Sequence, residues 1–237
     1  MGYGYWNGTQ IKSYTEKSEK MSKQIKEWGK ITDKAESVEE GKTAINKIKS
    51  ESEVNLQELN KTKAPAKAKE LESNLKEYFT LSKDLAGEME AAVGWVEDIE
   101  KIGEDLSKIF STDSSSPESL VTSLKNAKKE VDDSLKKMKS MEAPKGLEEQ
   151  NKIMKEILEG LSELLGKSIT AVEAGDYEGM VSLSTDFESV FGKMATVESP
   201  EEALNKTYKE DSEKLDNLEK KIDEQVKNLK NLGQFVF

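Results

Sequence analysis

Apolar residues along this chain of 237 residues recur three and four positions apart, the period of a helix. Ile11, Tyr14, Met21, Ile25 and Trp28, with Ser18 at the one polar position, predict a helix from about Thr9 that ends at Gly29 or at Thr32-Asp33. Its apolar seam is narrow, so Trp28 is expected to be buried against a partner helix. Ile45, Ile48, Leu56 and Leu59 predict a second helix from Val38 to Leu59. It stops before Ala64-Pro65, because proline restricts the residue ahead of it and has no N–H to donate. A long periodic segment follows, from Leu71 through Leu75, Tyr78, Leu85, Met89 and Ile99 to Ile109. Gly87, Gly94 and Gly103 interrupt it, and a bend is expected near Gly94.

The run Ser111 to Ser116 predicts a loop, after which Ser116-Pro117-Glu118 restarts a helix with Ser as cap and Pro at the first helical position. Leu120, Leu124, Ala127, Val131, Leu135 and Met138 mark its stripe, and Ala143-Pro144 ends it. Ile153, Ile157, Leu161, Leu164, Ser168 and Val172 predict the next helix, closed by the turn Ala174-Gly175-Asp176. A shorter helix through Met180, Phe187, Val190 and Phe191 follows. A last helix starts at Ser199-Pro200-Glu201, with Leu215, Leu218, Ile222, Val226, Leu229 and Leu232 as its seam. The tail GQFVF is expected to fray or to pack across a bundle end.

The two Ala-Pro breaks lie 79 residues apart, and their surroundings match at the same offset. Thr43 pairs with Thr122, Ile45 with Leu124, Lys49 with Lys128, Leu56 with Leu135, and Leu75-Lys76-Glu77 with Met154-Lys155-Glu156. A duplicated helical module accounts for this, since one such unit cannot bury its stripe alone and must stack on a neighbour. The predicted segments are a stub and first helix over 1–36, repeats over 37–115 and 116–198, and a truncated third copy over 199–237. The predicted fold is all-α: an elongated bundle or array of long antiparallel helices.

Composition narrows the chemistry. The chain has no Cys and no His, and all 36 basic residues are Lys. Structural zinc, haem ligation through His, iron–sulfur ligation by Cys and His-dependent triads are therefore excluded. The bidentate fork that Arg offers to phosphate is absent too. A net charge of −11 opposes nucleic acid and anionic membrane surfaces as partners. No segment has the eighteen or so apolar residues of a membrane span, so direct insertion into a bilayer is not expected.

No catalytic, cofactor-binding or metal-binding residue is expected. The carboxylate pairs Glu39/Glu40, Asp132/Asp133, Glu148/Glu149 and Glu201/Glu202 sit among lysines, where they read as solvated helix support. A di-metal carboxylate bundle would need His. Asp113 with Ser111, Ser114 and Ser115 is oxygen-rich but lacks the Gly and bidentate Glu of a calcium loop. Asn-x-Ser/Thr occurs at Asn7, Asn60 and Asn205, as expected by chance in this composition. The aromatics are the candidate partner-binding residues: Tyr3, Tyr5 and Trp6 in the N-terminal stub, and Tyr78, Phe79 and Trp95 on the long third segment. For each of these, packing in a core is the competing expectation.

Lys/Glu-rich, Cys-free and punctuated by Pro between long helices, with an aromatic stub, the chain resembles the anchored helical ectodomains of microbial surface proteins and lipoproteins. That resemblance implies a non-catalytic extracellular or cell-surface domain that binds another protein or acts as a spacer. It implies anchoring through a segment outside these residues. The alternatives are a cytoplasmic scaffold or assembly subunit that uses its apolar stripes for partner helices, and a carboxylate-based cation-binding protein or enzyme.

Overall fold

The computed structural model describes residues 2–32, 37–110, 117–193 and 197–234, with side chains for all of these except 2–8, 32, 108–110, 117, 177, 233 and 234. Among the described residues every regular element is helical: α1 (Gly2–Thr32), α2 (Val38–Lys61), α3 (Lys69–Phe110), α4 (Pro117–Ser140), α5 (Glu148–Glu173), α6 (Tyr177–Ser182), α7 (Ser184–Gly192), α8 (Pro200–Thr207) and α9 (Lys209–Gln234). A single 3-10 turn, Ala66–Ala68, leads into α3.

The caps follow from local chemistry. Ser37 Oγ accepts from the Glu40 amide at 3.2 Å, and Ser199 Oγ accepts from the Glu202 amide at the same distance. Each satisfies one of the orphan donors of a helix start. At the end of α5 the Asp176 amide donates to Ala171 O and the Gly175 amide to Val172 O. This places Gly175 at φ 71°, the left-handed position that only glycine adopts without strain. Asp176 then caps α6 through the Gly179 amide, so one turn closes a helix and opens the next.

The chain divides into two compact units, Met1–Val93 with Tyr208–Phe237, and Gly94–Thr207. The first is a four-helix bundle of α1, α2, the leading part of α3, and α9. Lys230 pairs with Glu19 while Ser22 and Lys26 both meet Asp223, so α1 and α9 run antiparallel. Trp28 to Glu51 and Asn55 to Gln24 set α2 antiparallel to α1. Its core joins Tyr14, Met21, Ile25 and Trp28 with Leu71, Leu75, Phe79, Leu218, Ile222 and Val226. The backbones come closest between α1 and α9 and between α1 and α2; α2 and α3 approach each other at few points. The second unit is built on α4 and α5, which pack tightly along their length, with the trailing part of α3 and the short helices α6, α7 and α8. Trp95, Val131, Met138, Leu158, Leu161 and Leu165 are buried there.

Several expectations need correction. The first helix begins at Gly2 and not near Thr9, so the N-terminal stretch is helical backbone; the side chains of Tyr3, Tyr5 and Trp6 lie outside the described residues. The helix expected through Met180 to Phe191 is broken at Leu183 into α6 and α7, and α7 buries none of its residues. The final helix is broken at Tyr208 into α8 and α9. The long third segment stays helical through all three glycines. Gly94, where a bend is expected, is the residue at which the second unit begins. The loop Ser111–Ser116, with Asp113 and the Ser116 cap, lies outside the described residues.

The helix boundaries repeat with the sequence. α2 and α4 are each 24 residues long and start 79 residues apart, and α3 and α5 also start 79 apart. Thr43 donates to Glu39 O and Thr122 to Glu118 O; Ala68 N donates to Pro65 O and Leu147 N to Pro144 O. Gly87 faces the Lys49 side chain, and Gly166 faces that of Lys128.

Candidate functional site

Of the aromatic candidates, Tyr78 and Phe79 are core residues of the first unit. Phe79 is fully buried, and Trp28 packs on both, edge-on to Phe79 at 5.8 Å and stacked on Tyr78 at 6.3 Å between ring centroids. Trp28 Nε1 donates to Glu51 at 2.6 Å. Trp95 belongs to the second unit, where it is buried with its Nε1 directed at Asn151 Oδ1, 3.4 Å away. The structure thus brings Tyr78 and Phe79 together and places Trp95 in a different core.

Tyr78 has a further neighbour that its sequence position does not reveal. A cleft of about 330 Å³ opens into the first unit beside its ring. All four helices line it: Ile25, Trp28 and Gly29 from α1, Ile45 and Ile48 from α2, Ser82, Leu85, Ala86 and Met89 from α3, and Ser212, Leu215, Asp216 and Glu219 from α9. The cleft falls where α2 and α3 diverge. Its floor is apolar, and its charged residues are both acids.

Burial, followed by the charge of Glu219, pushes the Tyr78 phenol up to about 12. Ser82 lies close enough to oppose that shift. Its buried hydroxyl nevertheless forms no well-directed hydrogen bond. Glu219 is itself raised, first by desolvation and then by Asp223, with Lys26 opposing. Asp223 goes the other way: desolvation works against it, but hydrogen bonds from Lys26 and Ser22 prevail and hold it low. Glu219 is therefore the acid of the two whose opposing charges, Lys26 and Lys220, fall short of its desolvation.

One polar cluster in the second unit has catalytic ingredients. Lys128 Nζ donates to Asp132 at 2.6 Å and to Ser162 Oγ at 3.2 Å, and Ser162 donates to Asp132 at 2.5 Å. The hydrogen bonds from Lys128 and Ser162 hold Asp132 low. An ammonium engaged with a carboxylate is no base for a serine. The cluster straps α4 to α5. The remaining paired charges behave as expected from the sequence, at helical spacing as in Lys76–Glu72 and Lys167–Glu163, or between helices as in Lys49–Glu90 and Lys139–Glu159. No three Asp or Glu side chains among the described residues gather as a metal site, and no described helix is long and apolar enough to cross a membrane.

The chain matches no protein-family model, and no curated protein or solved structure shows significant similarity to it.

Proposed function

We propose that this chain is a non-catalytic helical domain, extracytoplasmic or at a cell surface, that works by binding another protein. The observation that carries the reading is the apolar surface exposed on α6: Val181 is 71% exposed, and Met180 and Leu183, close to it in sequence, are only half-buried. Large exposed apolar side chains clustered on short helices are what a protein partner covers. Many of the charged residues are exposed ion pairs that support single helices or tie neighbours together.

The repeated helix boundaries support a further part of the reading, a duplicated helical module over 37–115 and 116–198 with a truncated copy from 199. Such modules serve as spacers or as extended docking surfaces. The same exposed surface also favours a second reading, a cytoplasmic scaffold whose partner is another copy or another assembly subunit.

A photo-crosslinking residue at Met180, introduced in the cells that make the protein, tests both. One discrete adduct that external protease removes from intact cells is expected. An adduct protected from protease would transfer the assignment to the scaffold. Absence of any adduct that Val181→Asp abolishes would remove the binding face altogether.

A further inference from the structure

We propose that the cleft of the first unit is a binding site for a small aliphatic ammonium ion, its alkyl body against Ile45, Ile48 and Met89 and its charged head at Asp216 and Glu219.

The cleft is built into the sequence by two small residues. Ser82 and Ala86 stand on the face of α3 that lines it. At the matching positions of α5, 79 residues on, stand Leu161 and Leu165, both fully buried in the second unit. The two helices start at the same offset, so the same register positions are filled in one hairpin and left small in the other. Ala127, Ile157 and Ser168, at the positions of Ile48, Tyr78 and Met89, return that volume, so the two hairpins differ in where their bulk sits and not in its total. α4 and α5 correspondingly close on each other, while α2 and α3 stand apart.

The polar groups point to a cation. The lining contains no Lys. Asp216 is exposed at the rim and Glu219 half-buried below it, and neither closes an ion pair with a described residue. Of the two lysines that oppose the Glu219 shift, Lys26 is paired with Asp223, and Lys220 is the other. Both carboxylates line the cleft together with Tyr78, whose phenol they help to raise. An ammonium carries donors for these acceptors, and burying it beside two carboxylates compensates its desolvation. The apolar remainder selects an alkyl body over a hydrated metal ion, and the volume is at the low end of the several hundred Å³ typical of small-ligand sites.

The test is methyl NMR of the full chain titrated with n-hexylammonium chloride, with n-hexanol as the neutral control. Saturable shifts at the Ile45, Ile48 and Met89 methyls are expected, with hexanol at least about tenfold weaker. The doubly neutralised D216N/E219Q should lose about tenfold for the ammonium and leave hexanol unchanged. S82L/A86L should fold, keep its helical circular dichroism and bind neither probe. Equal binding of the two probes, saturation elsewhere, no saturation, or unaltered binding by D216N/E219Q would each overturn the proposal. Tighter binding of Nα-acetyl-lysine methylamide than of hexylammonium would also overturn it, by making the guest a lysine of a protein partner.

Discussion

Gly146 is a residue whose identity the backbone dictates. It sits at φ 86° in the turn between α4 and α5, and a Cβ there would come within 3.0 Å of three Thr207 side-chain atoms. Gly146→Ala should therefore cost about 1–3 kcal/mol, read as a lower denaturation midpoint. Trp28 and Ile222 are buried seam residues of α1 and α9, as their spacing predicts; truncating either to Ala should cost about 2–5 kcal/mol. Glu219 behaves in the opposite sense. Its folded pKa lies above the ordinary 4.5, so below 4.5 its charge costs the fold nothing. As pH rises from 4.5 through the folded value, stability is lost. Glu219→Gln should thus raise the melting temperature at pH 7 and leave it unchanged at pH 4; a lower melting temperature at pH 7 would mean the carboxylate is paired. Ser18 could be assigned to the α1 seam from the sequence because its hydroxyl bonds back to Tyr14 O, which makes it effectively apolar. Ser82 was not marked as unusual, since a serine in an apolar stripe looks the same whether or not its hydroxyl finds a partner.

Among the helices, those with one strict seam were readable and those without were not. α1 and α9 bury the spacing-predicted Met21, Ile25, Leu218 and Val226, and both Ala-Pro breaks end helices where proline geometry requires. α6 and α7 do not form one helix: the chain breaks at Leu183, and the apolar residues of α7, though Val190 lies against Gly160 of α5, are none of them fully buried. The surface exposed on α6 is informative in another way. Val181→Ser should change stability by less than about 0.5 kcal/mol, the size of an ordinary surface substitution, while reducing whatever association that surface supports. Light scattering coupled to size exclusion, with thermal melts of the same variant, separates the two effects. Glycine was a poor guide: α3 remains helical through Gly87, Gly94 and Gly103, because inside a long helix each costs only about 1 kcal/mol relative to alanine. The candidate cleft was invisible from any single helix. Its walls come from four of them.

Taken together, the charges make the protein sensitive to acid. Asp223 and Asp132 are held below their ordinary 3.8, so the stability they contribute is complete above that value and is lost as pH falls toward the folded ones. A fall in melting temperature confined to pH below about 4, reduced in Asp223→Asn, is the expected profile. The all-helical class followed from periodicity throughout the chain, whereas the compact units are a different division from repeats of 79 residues and have no mark in the periodicity. The units instead divide at Val93–Gly94 and return at Thr207–Tyr208. That division fixes an order of events during synthesis. Residues 94–207 are contiguous and can close their core while α9 is still inside the ribosome. The first unit holds its opening three helices in waiting until the last thirty residues, Tyr208–Phe237, emerge to cover the α1 seam. A nascent chain stalled just before Tyr208 would therefore carry one finished core and one open one, and the open one is where a chaperone would bind.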